Sequence, residues 1–197
     1  MNSLLGHLPE IALAAALAWG SGLRLYAVLF LTGMAGYLGW LELPSHLAIL
    51  AHPMVLGASG FMTLVEFGAD KLPWLDSAWD AVHTFIRVPA GAALAAAVFG
   101  ANDTAIGVTA AILGGTIAAG THLAKAGARA TINASPEPFS NWFASLSEDL
   151  LVPAGLMLAV LHPFAFLALL ALFAITAFFL LRAIARGLSL LLLKLRT

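Results

Sequence analysis

Residues 150–181 read LLVPAGLMLAVLHPFAFLALLALFAITAFFLL, with no Asp, Glu, Lys or Arg among them. A helix needs about 20 mostly apolar residues to cross the hydrocarbon of a bilayer. This run exceeds that length, and His162-Pro163 divides it into two candidate helices. Two further stretches lack fixed charge: Leu25 to Leu41, and Thr104 to Ala124 apart from His122. Hydrocarbon offers backbone N–H and C=O groups no water, so chain inside it must be helical or form a closed barrel. The alternation of a membrane β-barrel is absent here.

Composition points the same way. Of 197 residues, 61% are hydrophobic and 10% charged. Soluble domains carry roughly 25% charged residues, so this chain has too few to cover a water-facing surface. Abundant Gly and Ala suit close helix packing in lipid. The lack of cysteine excludes disulfides and thiolate metal sites. A net charge of −1 gives no basis for a nucleic-acid partner. Met1 to Pro9 carries no basic residue, which argues against a cleaved secretory signal. The expected fold is all-α: a polytopic transmembrane helix bundle, one transmembrane domain over residues 1–197.

Candidate helices fall at 4–20, 23–40, 54–71, 76–100, 104–131, 136–161 and 164–195, about seven spans. Gly20-Ser21-Gly22 interrupts the first pair, and Pro44 and His52-Pro53 bound a short interfacial segment. Leu72-Pro73, Asn102-Asp103, the Ser135 to Pro138 stretch and His162-Pro163 supply the other breaks. With these spans, every Lys and Arg falls on one side, which places the C-terminus in the cytoplasm. The basic amphipathic tail, 182–197, either lies on the inner leaflet or continues the last helix. Trp19, Trp40, Trp74, Trp79 and Trp142 sit near span ends, where tryptophan anchors helices at the interface.

An internal repeat is visible. Glu66-Phe-Gly-Ala-Asp70 returns as Lys125-Ala-Gly-Ala-Arg129 with both charges reversed, and Val88-Pro-Ala-Gly91 returns as Val152-Pro-Ala-Gly155. Two islands in the same order predict a duplicated helix pair, 54–100 and 104–161. Transporters often bind substrate at the interface of such repeats. These spans set the copies parallel. An inverted relation would require a re-entrant element, such as 75–87 or 137–149, with a helix broken at Pro89 or Pro153.

Ionisable residues are costly in lipid and usually face a bundle interior or a water-filled path. One zone holds Glu66, Asp70, Asp76, Asp80, His83 and Arg87, the last four forming a single helical stripe. The other holds His122, Lys125, Arg129, Asn133, Glu137, Asn141, Glu148 and Asp149. The functional reading is an ion or solute path lined by Glu66, Asp70, Asp76, Asp80, His83, Arg87, Lys125, Arg129, Asn141, Glu148 and Asp149. Asp76, Asp80 and His83 are a weak set of divalent-metal ligands. Arg24, Arg87, Lys125 and Arg129 would alternatively hold an anion or phosphate headgroup. The competing reading is structural: Glu66 and Asp70 pair with Lys125 and Arg129, and the charges cancel. No catalytic motif is recognisable.

Ser21-Gly22-Leu23-Arg24-Leu25-Tyr26-Ala27, Glu66-Phe-Gly-Ala-Asp70-Lys71 with Pro73, Asp76 and Asp80, and the Val-Pro-Ala-Gly repeats carry a resemblance. From about Leu13 to about Pro163 the chain resembles the bacterial integral membrane proteins classed as domain of unknown function 4126. The resemblance implies a polytopic membrane protein, here of a bacterial inner membrane, and brings no activity, ligand or cofactor with it. The leading expectation is a transporter or channel for a small ion or solute, with a divalent cation foremost. The alternatives are a lipid or polyprenyl-phosphate translocase and a non-transporting membrane enzyme or assembly factor. Membrane lipids and the small ion or solute are the expected partners.

Overall fold

A computed structural model describes residues 6–100, 104–133 and 139–194. Asn102, Asp103 and Glu137 lie outside them, as do the side chains of Trp74 and Asn133. The described chain is helical: α1 (Leu8–Tyr37), a 3-10 helix (Ser45–Ala51), α2 (Pro53–Ala69), α3 (Pro73–Phe99), α4 (Thr104–Asn133), α5 (Phe139–Leu161) and α6 (Pro163–Lys194). Proline opens α2, α3 and α6, where its missing N–H costs nothing and its fixed φ suits the first turn. Pro89 and Pro153 lie within continuous helices, so neither 75–87 nor 137–149 is a re-entrant element.

The chain instead bends back within α1. Its helical dihedrals fail at Arg24 (φ −142°, ψ 78°), four residues beyond the start of the break expected at Gly20-Ser21-Gly22. In a continuous helix, residues eight apart are separated by about 12 Å. Yet the Val28 side chain comes within 2.6 Å of where a Cβ on Gly20 would lie, so the chain folds back on itself. Both ends of α1 then meet the same end of the bundle. Its first turns, from Glu10 to Ala15, face Val98 and Phe99 at the end of α3 and Ala105 at the start of α4. Its last turns pack Gly33 on Leu50 of the 3-10 helix, which also approaches the end of α3, His46 against Gly100.

The two halves, 8–23 and 25–37, measure only ~24 Å and ~20 Å, short of a hydrocarbon core of about 30 Å. About seven spans, give or take one, are expected from the sequence; the structure offers five or six candidates. By length and apolarity, five helices qualify to cross a membrane (α1, α3, α4, α5 and α6), and the bent pair of the 3-10 helix with α2 makes a sixth. Within α1 the chain doubles back as a hairpin. Non-helical backbone at membrane depth is tolerated where protein surrounds it. That holds here: Ala12 to Leu25 is almost wholly buried, and α1 packs against every other helix.

The outer surface is greasy. Phe61, Leu64, Phe85, Ile112, Phe143, Met157, Phe164 and Phe179 are all more than half exposed. A water-facing surface would not carry such a band, and the apolar helices fit a membrane-embedded chain. Trp40 and Trp142 are exposed, as interfacial anchors should be. Trp19 is not an anchor: it is 8% exposed and packs edge-on against Phe166 and Phe173 of α6. The tail continues α6 as far as Lys194.

The hairpin apex needs a residue without a side chain at Gly22. A Cβ there would lie 2.5 Å from the Ala118 carbonyl oxygen, 2.8 Å from Thr121 Cβ and 3.0 Å from the His122 nitrogen. Two of these are α4 backbone atoms and cannot rotate away. Gly22→Ala should therefore lower stability by about 1–3 kcal/mol. Thermal unfolding of purified protein in micelles checks this, and an unchanged midpoint would mean that α4 does not clamp the apex.

Candidate functional site

Arg24 is placed by the backbone break. The interruption denies the carbonyls just before it their helical donors. One of them, Leu23 O, accepts a bond of 3.1 Å from the Lys125 ammonium on α4. Arg24 itself, 2% exposed, points into the bundle. Its Nη1 lies 2.6 Å from Asp70 Oδ2, its Nη2 2.9 Å from Asp149 Oδ1, and its Nε 3.6 Å from Glu148 Oε2. Nη2 also donates to the carbonyl and hydroxyl of Ser145, at 3.1 and 3.0 Å.

Around this apex α2, α3, α4 and α5 each contribute charged side chains. Lys125 Nζ reaches Asp70 at 3.2 Å, Glu148 at 3.1 Å and Asp80 at 3.6 Å. Arg129 reaches Glu148 at 3.2 Å, Asp70 at 3.8 Å and Asp76 at 4.0 Å. It also donates to the Asn141 carbonyl at 3.0 Å and to that residue's side-chain oxygen. Asn141 in turn donates to the Asp70 carbonyl at 3.3 Å. Arg87 is held between Asp80 at 2.6 Å and Glu66 at 2.7 Å. These contacts join into one connected network.

The stripe read from the sequence, Asp76, Asp80, His83 and Arg87, does face inward. His83, however, is held by other groups: its Nδ1 lies 2.8 Å from the Trp79 carbonyl and its Nε2 3.2 Å from the Tyr26 hydroxyl. Its ring is stacked on Trp79. Among the described residues, no group of three acidic or histidine side chains is arranged to hold a metal ion. His122 sits beside Arg87 at 3.3 Å and Thr84 at 2.7 Å. The expected pairing across the two zones is half realised: Asp70 meets Lys125 and Arg129, whereas Glu66 pairs with Arg87 of its own zone.

The network forms a column. It begins at Arg129, ~6 Å from the end of α4, and reaches Arg87, ~21 Å into α3. Its mouth lies where α2 hands over to α3. Lys71, at that turn, is directed onto the Phe67 carbonyl at 3.1 Å and over its ring. Six carboxylates (Glu66, Asp70, Asp76, Asp80, Glu148 and Asp149) face four bases (Arg24, Arg87, Lys125 and Arg129). With all six carboxylates ionised and the histidines neutral, the formal excess is two negative charges. Three carboxylate oxygens, Glu66 Oε2, Asp70 Oδ1 and Asp149 Oδ2, are buried without a hydrogen-bond partner among the described residues.

Two members near the mouth lie outside the apolar span Ala78–Phe99 of α3. Burial opposes ionisation of Asp70, but Lys125, Arg24 and Arg129 outweigh it and hold the carboxyl below its usual value. For Asp76 burial prevails over Arg129, and the carboxyl is raised from 3.8 to about 6. A raised carboxylate takes up a proton on folding. Its stabilising contribution is present below the unfolded value of 3.8 and disappears as pH rises through about 6. Asp76→Asn should therefore be more stable than the parent at pH 8 and converge with it near pH ~4. Melting midpoints across that range test this; parallel curves would refute it.

Sequence reading missed Ser145, Tyr26 and Thr84. Ser145 was findable, since it lies four residues from Asn141 on the same helical face. Tyr26 carried no signal, because its place depends on the hairpin. No curated protein and no solved structure matches the chain. Residues 11–183, which carry the whole network and most of α6, match the family described as Domain of unknown function (DUF4126), and the chain belongs to that family.

Proposed function

We propose that this protein passes a small cation across the membrane, with the buried network as its path. The observation that carries the reading is the charge excess. Six carboxylates against four bases leave two negative charges in a region where uncompensated charge is expensive. One divalent cation or two protons would balance it. A proton needs no convergent set of ligands; a metal ion would need the carboxylates to regroup.

The same count weighs against a phosphate or lipid-phosphate cargo. Arg24, Arg87, Lys125 and Arg129 are each engaged by carboxylates, and an anion would deepen the negative excess. We also read 54–100 and 104–161 as related copies flanking the hairpin. Support comes from the two Val-Pro-Ala-Gly stretches: Gly91 packs on Ala18 of α1, and Gly155 on the adjacent Trp19. By the positive-inside rule, the network end and the C-terminus face the cytoplasm of a bacterial inner membrane.

Liposomes reconstituted with the full chain test this. Under an imposed potential, they should take up protons or a divalent cation faster than empty liposomes. Glu66→Gln and Asp80→Asn, each removing one carboxylate charge, should slow uptake at least ~5-fold, since a neighbouring charge is worth about 1 kcal/mol or more at contact. Liposomes tight to every cation but active in moving a phosphorylated lipid would overturn the reading.

A further inference from the structure

At the opposite end of the bundle from the network, α1, α3 and α4 frame a half-open cavity of about 660 Å³. Its walls are small: Ala14, Ala15, Ala95, Ala110 and Gly114 line it where larger side chains would fill it. Beyond them Ile11, Val98 and Leu113 keep the lining apolar. Its size is that of a small-molecule site. Among its described lining residues, Glu10 alone carries a fixed charge, and it stands at the mouth, 2.7 Å from His7. The floor at Gly114 lies only about two helical turns (~10 Å) from Thr121 and His122, beside Arg87 at the inner end of the network. Between the two, Gly91 and Ala118 close the gap, with 2.5 Å from a Cβ on Gly91 to the Ala118 methyl.

We propose that this cavity binds an amphiphilic organic cation, an apolar body with one positive group. The apolar walls take the body. Charge complementarity selects the sign, because a carboxylate guards the mouth and the network beyond the floor has a negative excess. The preference for positive charge rests partly on the cation reading above, but occupancy of the cavity requires no transport.

Tetraphenylphosphonium and tetraphenylborate, matched in size and opposite in charge, are suitable probes. Equilibrium binding would be measured on the full chain in phosphatidylcholine nanodiscs, against empty nanodiscs. Saturable binding of the phosphonium, tighter than of the borate, is expected. Glu10→Gln should weaken the phosphonium about five-fold or more and leave the borate unchanged or improved. Ala110→Phe should abolish binding by filling the cavity. Thr109→Trp, at an exposed lining position, should reduce it without threatening the fold. Equal or tighter borate binding, no saturable binding, or indifference to both filling variants would overturn the proposal. Asp80→Asn separates the two readings: it should slow cation uptake while weakening phosphonium binding less than Glu10→Gln does.

Discussion

Arg24→Ala is expected to lose about 3–5 kcal/mol of stability, the range for breaking a buried ion pair by removing one partner. Arg24 forms an ion pair with Asp149, and it shares Asp70 and Glu148 with Lys125 and Arg129. Its loss takes the buried excess from two negative charges to three, strips Ser145 of its donor and leaves a void at the hairpin apex. Arg24→Lys should rescue it only in part, since an ammonium on a shorter stem cannot span two helices as a guanidinium does. Denaturant unfolding in micelles, followed by tryptophan fluorescence, measures the loss. A cost below ~1 kcal/mol, the range of solvated surface pairs, would mean that these carboxylates are hydrated or already protonated.

Lys125→Met should cost a similar amount, about 3–5 kcal/mol, because Asp70, Glu148 and Asp80 then face one another without their shared ammonium. The informative variant is the double one. Asp70→Asn added to Lys125→Met restores the original excess of two charges and should recover at least ~1 kcal/mol relative to the sum of the single losses. Recovery will be incomplete, since Asp70 also serves Arg24 and Arg129. Strict additivity would show that Lys125 and Asp70 act independently. Both experiments address whether the buried groups are charged in the folded protein, on which the cation path depends.

How far the sequence could be read depends on the range of the interactions involved. Helical stripes are local, so the inward orientation of Asp76, Asp80 and Arg87, and of Asn141 and Glu148, was legible from spacing alone. Pairings were not. Charge reversal between the two motifs suggested Glu66 and Asp70 with Lys125 and Arg129, but Glu66 reaches Arg87 instead, because α3 brings that guanidinium to the same depth. Arg24 was visible as a basic residue near a glycine-rich break. Its role at the centre was hidden, since nothing local distinguishes an arginine ending a span from one at the tip of a hairpin.

The sequence by itself determined the solvent. A chain so poor in charge and so long in apolar runs can satisfy its backbone only as helices in lipid, and each proline or glycine break follows from local geometry. Tertiary structure alone decided that the first two segments turn back on each other at Arg24, and it offers five or six candidate spans where about seven were read. It also decided that charges from five helices meet in one column with an apolar cavity at the other end. Hydropathy sums over a window and cannot register a sharp bend within it. Coulomb partners are chosen by distance in space, which the order of residues does not contain.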